Sequence, residues 1–442
     1  AFNNGGSPGI SGWDVSNWDN SAGMNYMFFR CRSFNQPLDG WDVTSVVSMH
    51  NMFNSTDDFN NGGSTGINNW RPSSCTNMLA MFASATSFNQ PIGDWDVTGV
   101  TNMASMFNGA TSFNNGGSTG INNWRPSSCT NMQSMFYGAT GFNQPINDWD
   151  VSSVTTMNSM FNRATNFNQN VSNWNISSVT NINRMFDHAH NFNNGGSTGI
   201  NNWDTSSCTN MQNMFFNSYI FNQPVSDWDT SSVTLMDGMF YGCTGFNQPI
   251  SNWDTSKVTN MYRMFTAASS FNQPLDDWDV TGVTSMSSMF NGAEDFNNGG
   301  STGINNWRPS SCTTMDNVFY GATGFNQPIG DWDTSSVTTM QNMFNRATNF
   351  NQDISNWNVT GVTTMNRMFD QVAIFNQPIG NWTTSSLTDI VNMLYNGDAF
   401  NQDLSNWNVS NITSANGFMN GANGLSTTNY DRTLSGWSSQ SV

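Results

Sequence analysis

From Phe88 to Ser112 the chain reads FNQPIGDWDVTGVTNMASMFNGATS. Within it, Val100, Met103, Met106, Phe107 and Ala110 fall at i, i+3, i+6, i+7 and i+10, the apolar stripe of an amphipathic helix. The spacing predicts a helix of about two to three turns over residues 100–110, with Thr98 or Thr101 placed to cap its N-terminus. A helix that short does not stand alone in water and must be held by neighbours. Upstream, S-F-N-Q-P-I reads as a short extended piece and W-D-V as a second. The proline suits a strand end or a turn and not a strand centre.

The same segment then recurs. With the phenylalanine before each Asn as anchor, it begins at Phe2, Phe34, Phe59, Phe88 and so on to Phe400, sixteen times, and Leu425 takes the place once more. Most steps are 25 residues, four are 29 and the first is 32. The coils starting at Phe2, Phe59, Phe113, Phe192 and Phe296 carry FNNGGS where most of the others carry FNQP, a Gly-rich insertion expected to loop out without disturbing the rung. The coil at Phe2 is irregular again around Trp18. A period of this size means a solenoid, a propeller or an array, and 25 residues are too few for a four-stranded blade. The pattern therefore predicts an α/β repeat solenoid over residues 1–424, with short parallel strands about 4.8 Å apart and a short helix in each coil. Residues 425–442 are expected to form a C-terminal cap and tail, with Tyr430, Leu434 and Trp437 covering the last core edge. Asn follows the anchor in every coil and suggests an inward-facing amide ladder. Trp holds a second column from Trp13 to Trp407, and Val, two Met, Phe and Ala columns supply the rest of the core.

The motif F-N-Q-x-[ILV]-x-x-W-[DN]-[VT]-[ST]-x-V-T-x-M-x-x-M-F-x-x-A, carried from Phe2 to Leu425, resembles the short-repeat bacterial surface protein family related to BspA-like leucine-rich repeats. The closing LSTTNYDRTLSGW resembles the way such arrays end. The resemblance implies leucine-rich-repeat-like coils, secretion, and adhesion or partner binding. It supplies no catalytic residues and does not account for the FNNGGSTG insertion.

Composition narrows the partners. Hydrophobic residues make up 36% of the chain and charged residues only 10%, and the net charge is −18 with Lys257 the sole lysine. Nucleic acid and anionic lipid require clustered Lys and Arg, so both are disfavoured. No apolar run approaches the length of a membrane span, so no membrane insertion is expected. The chain begins inside a repeat and reads as a fragment of a longer secreted chain, extracellular or at the cell surface.

Candidate chemistry dissolves into columns. Cys75, Cys129, Cys208 and Cys312 stand in the Val column, and Cys31 and Cys243 in the Ala column. The first four are never on neighbouring rungs, so six free, buried thiols are expected. The Met-x-x-Met pairs such as Met103/Met106 coincide with the core stripe, which favours packing over Cu(I) binding. His188-x-His190 beside Asp187 occurs once only and reads as a surface turn. The D-W-D pairs, such as Asp94/Asp96, read as Asx-turns more simply than as calcium sites, because Arg71, Arg125, Arg308 and several Asn interrupt the column. No histidine is fixed near a nucleophile, so no enzyme, no metal and no cofactor is expected. The leading function is a surface-displayed adhesion or interaction module for an extracellular protein or glycan. The alternative is a spacer, stalk or filament subunit with end-to-end or lateral self-association. Candidate contact loops are Ser64, Thr65, Ser118, Thr119, Ser197, Thr198, Ser301 and Thr302, at the insertions.

Overall fold

A computed structural model describes residues 9–16 and 23–440; the anchor Phe2, its Asn3 and the irregularity at Trp18 lie outside them. The chain divides into two units, Ala1–Trp228 and Asp229–Val442, each built from the same coil. Within each unit, successive coils stack so that every column of the repeat becomes a line of equivalent side chains.

The segment expected to be helical is a run of turns. In the first unit the N–H groups of Met103, Ser105, Phe107 and Gly109 donate to the carbonyls of Asn131, Gln133, Met135 and Tyr137 in the next coil, at 3.0, 2.8, 2.8 and 2.7 Å. Those of Met106, Asn108 and Ala110 donate three residues back within their own coil, at 3.2, 3.1 and 3.0 Å. Alternate donors thus leave sideways, which an i→i−4 helix forbids. The turns close because Ser105 and Gly109 take φ of 56° and 69°, the left-handed value that the third residue of a type II turn requires. The second unit repeats this at Ser288 and Gly292, φ 58° and 68°. These two columns are filled mostly by Gly, Asn, Ser and Arg, and Gly adopts the conformation without cost. The i, i+3 spacing of apolar residues is common to both solutions, so periodicity alone could not separate them. Among the described residues the one α-helix, α1, is Thr427–Ser438.

Strands are likewise reduced. Parallel pairing consists of isolated bridges, Ser48 to Asn77 and on to Asn210 in the first unit, Asn260 to Ser285 and on to Ser414 in the second. These lie just before the first Met, not at FNQP. At FNQP the proline lacks a donor, and side-chain amides make the rungs instead. The Asn114 N–H donates to Asn89 Oδ1 at 2.8 Å, Asn143 to Asn114 at 2.9 Å, and in the second unit Asn351 to Asn326 at 3.0 Å. This column is half-buried or exposed at a corner of the coil, not inward-facing as expected.

The core is aromatic and aliphatic. Phe82, Phe107 and Phe136 stack at centroid spacings of 5.7 and 5.4 Å, beside the parallel column Phe88, Phe113 and Phe142 at 5.7 and 5.8 Å. Rings of the two columns meet at 3.9 Å where one coil passes into the next, as Phe82 meets Phe88 and Phe107 meets Phe113. Buried indoles donate to the carbonyl of the aliphatic residue one coil earlier, as Trp149 Nε1 does to Ile121 at 2.8 Å and Trp332 to Ile304 at 2.9 Å. A large apolar ring and a satisfied buried carbonyl are thereby secured by one side chain. Trp13 departs from the column and is 48% exposed. At the other end, Ser426 caps α1, Thr433 Oγ1 accepts from Leu404 N–H at 3.1 Å, and Trp437 Nε1 donates to Leu404 O at 2.8 Å. Of the three residues expected to cover the edge, only Trp437 turns inward; Tyr430 and Leu434 are 51% and 45% exposed.

The insertions do not simply loop out. Asn61–Gly63 and Thr65–Asn69 form successive 3-10 turns folded onto the preceding coil. Asn61 is fully buried; its Oδ1 accepts from Leu38 N–H at 2.8 Å and its Nδ2 donates to Ser64 O at 2.8 Å. Asn115, Asn194 and Asn298 repeat these bonds to Ile92, Val171 and Leu275.

Candidate functional site

The hydroxyls proposed as contacts divide into two sets. Ser64, Ser118, Ser197 and Ser301 accept from the N–H of Gly66, Gly120, Gly199 and Gly303 at 3.2 or 3.3 Å. Ser64 and Ser301 also donate to Asp39 and Asp276 of the preceding coil, each at 2.5 Å. These serines build the turn. Thr65, Thr119, Thr198 and Thr302 are exposed beside them.

The other chemistry-bearing residues sit as follows. The second carboxylate of each D-W-D accepts from the residue two further on, as Asp96 does from the Thr98 N–H and hydroxyl at 3.1 and 2.7 Å, an Asx-turn. The Ser335 hydroxyl holds Asp333 below the usual carboxylate range in this way. Arg71, Arg125 and Arg308 bind two carbonyls of their own corner at 2.9–3.1 Å. The methionines of the two Met columns are fully buried from Met49 to Met393, and Met27 is half-buried. None of the six cysteines is in a disulfide; Cys31 is half-buried rather than buried, and the rest are buried. Burial pushes the thiols of Cys75, Cys129 and Cys312 up to about 11 and that of Cys208 to about 12. His188 Nδ1 meets Asp187 Oδ1, and its Nε2 lies 3.0 Å from Asn217 Nδ2, so the H-x-H pair does not converge. Among the described residues no three His, Cys, Asp or Glu groups stand where they could hold a metal.

One constellation occurs twice. In the first unit Asn162, Arg163, Arg184 and Asp187, walled by Tyr137 and Phe216, line a basin of 250 Å³. In the second, Asn345, Arg346, Arg367 and Asp370, walled by Tyr320 and Tyr395, line one of 590 Å³. All four arginines occupy the left-handed columns, at φ 60°, 54°, 61° and 54°, so the turn ladder turns them outward from the core. Arg184 and Arg367 reach their aspartates only at 3.9 Å, and none of the four guanidiniums makes a hydrogen bond to the protein among the described residues. Asn162 Oδ1, Asn345 Oδ1 and Asp370 Oδ1 are buried without a hydrogen-bond partner. Burial raises both aspartates above the usual carboxylate range, against the pull of the neighbouring arginines. The sequence carries the signal, F-N-R-A-T-N-F-N-Q followed by N-R-M-F-D at 161–187 and again at 344–370. Column averaging, which absorbs single outward residues, hides it.

The repeat matches the family described as "Mycoplasma protein of unknown function, DUF285" over residues 2–66, 115–198, 194–302, 299–396 and 330–437. The chain belongs to this family. The match bears out the repeat family expected from the motif. No curated protein matches this DUF285 chain. It is similar to a leucine rich cell surface protein from Faecalibacterium prausnitzii A2-165, with 15% identity, 74% of each chain covered and a TM-score of 0.35. It is also similar to a leucine-rich repeat protein from Eubacterium ventriosum, with 13% identity, 67% of this chain and 81% of that chain covered, and a TM-score of 0.33. A third, from Bacteroides ovatus, shows 9% identity, 71% and 76% coverage, and a TM-score of 0.29. No helix among the described residues is long and apolar enough to cross a membrane.

Proposed function

We propose that this DUF285 chain is an interaction module displayed at a cell surface or outside the cell, presenting an extended repeat surface to a protein or glycan partner. The observation that carries the reading is the uneven placement of positive charge. Four of the chain's twelve basic residues gather in two equivalent basins of an otherwise acidic molecule. A passive spacer has no use for guanidiniums that make no hydrogen bond to the protein, whereas a recognition surface does. Interior positions are consumed by packing, and the acidic and thiol groups by turns and burial, which leaves the outward columns and the exposed Thr65, Thr119, Thr198 and Thr302 to make contacts. The test is a binding screen of the intact chain against arrays of glycans and extracellular proteins. Retention of a defined ligand class supports the reading. A chain that retains nothing and assembles end to end in solution is a structural subunit.

A further inference from the structure

We propose that the two basins are equivalent binding sites for a carboxylated sugar, one per unit, a deepening that rests on the interaction reading above. The requirement comes from what each basin leaves unsatisfied. In the second unit, Arg346 and Arg367 bring two planar guanidiniums to one cavity, the geometry that grips a carboxylate in paired bonds. The buried Asn345 Oδ1 and Asp370 Oδ1 are acceptors without a hydrogen-bond donor, and a buried acceptor left unsatisfied is destabilising. A ligand that answers both demands carries an anion and hydroxyl donors together. Sulfate or a carboxylate side chain supplies the first without the second, and a neutral sugar the second without the first. Tyr320 and Tyr395 complete the lining of the cavity. At 590 Å³ the cavity falls in the range of about 300–1,000 Å³ typical of small-molecule clefts.

The first unit repeats the arrangement with Phe216 in the place of Tyr395, Ser159 in that of Asn342 and a different neighbour to the aspartate. His188 stands where the second unit has Gln371, and its Nδ1 occupies Asp187 Oδ1. Asn162 Nδ2 also donates to Asp187 at 3.3 Å, which leaves Asn162 Oδ1 as the open acceptor in a basin of 250 Å³. The second basin is therefore the tighter of the two.

The fold itself supplies variants that remove the guanidiniums without disturbing the coil. Gly109 and Gly321 occupy the column of Arg163 and Arg346, and Asn213 and Asn392 that of Arg184 and Arg367, all at positive φ. Arg346→Gly with Arg367→Asn, and Arg163→Gly with Arg184→Asn, thus place residues the ladder already accepts. Isothermal titration of the full chain would use oligo-glucuronate and sialyllactose as two carboxylate sources. Controls are lactose, inorganic sulfate and a glutamate-rich peptide. Two sites per chain are expected with at least one carboxylated sugar, and the preferred one identifies the source. The second-unit variant should abolish the tighter site, the first-unit variant the weaker, and the fourfold variant should weaken binding at least tenfold at both. Unchanged binding in the fourfold variant overturns the proposal, as does equal binding of lactose, sulfate or the peptide. If the chain retains another ligand on the arrays but neither sugar acid, the proposal fails while the interaction reading stands. If it retains nothing, both fall.

Discussion

Gly109 separates the two ways of closing a coil by the sign of a single substitution. In a helix over residues 100–110, Gly109→Ala would stabilise by about 1 kcal/mol, the difference in helix propensity. In the turn ladder Gly109 has φ 69°, where a Cβ costs about 1–2 kcal/mol. A Cβ built there meets nothing nearer than Ser84 Oγ at 3.5 Å, ordinary contact, so packing adds no further term. Against this stands a gain of about 0.4–1 kcal/mol from stiffening the unfolded chain. The net expectation is destabilisation, by up to about 1.6 kcal/mol. Ala267 occupies the same column at φ 56°, so the coil survives the exchange and the cost is readable as a shift. Urea denaturation of the full chain, followed by tryptophan fluorescence, reads that shift as a lower midpoint for the transition of the first unit. Ser105→Gly, at φ 56°, should move the midpoint the other way. A higher midpoint for Gly109→Ala would refute the ladder at that position.

Three further outcomes follow from individual contacts. Trp149→Phe leaves the buried Ile121 carbonyl without its donor and should cost about 1–3 kcal/mol, measured in the same denaturation assay. Cys31, the half-buried thiol, should react with an aromatic disulfide reagent well before the other five. Thiols held at about 11 carry roughly one thiolate per thousand at pH 8, so five fast-reacting thiols would contradict their burial. Asp370 has a raised folded-state value, so its contribution to stability is fully present below the unfolded carboxylate range and is lost as pH rises through the raised value. Asp370→Asn should therefore gain relative to the parent as pH rises from 3 to 7 (both about, on the carboxylate scale), and a parent whose advantage grows over that window would overturn the assignment.

The columns were legible in the sequence because each is defined by what must be buried. Phe88, Trp95, Val100, Met103, Met106 and Phe107 are all interior, as their recurrence required. Conformation within the coil was not legible to the same degree. Met103 and Met106 share a side whether a helix or a type II turn joins them, and only the left-handed Ser105 and Gly109 decide between the two. Had Gly, Asn and Ser at those two columns been read as left-handed positions, the turns could have been found. Asn61 shows the same limit: as the second Asn of FNNGG it looked like loop, yet it is fully buried and satisfies Leu38. The basins escaped because Arg163 and Arg346 differ from their column neighbours, and a consensus discards such differences. They became visible only when the ladder set two coils side by side.

The central claim is that turns, not helices, close each coil and so direct the left-handed columns outward. Far-UV circular dichroism of the full chain tests it most directly. The account predicts a helical signal no larger than the twelve residues of α1 can give. A signal that needs a helix in every coil would contradict it.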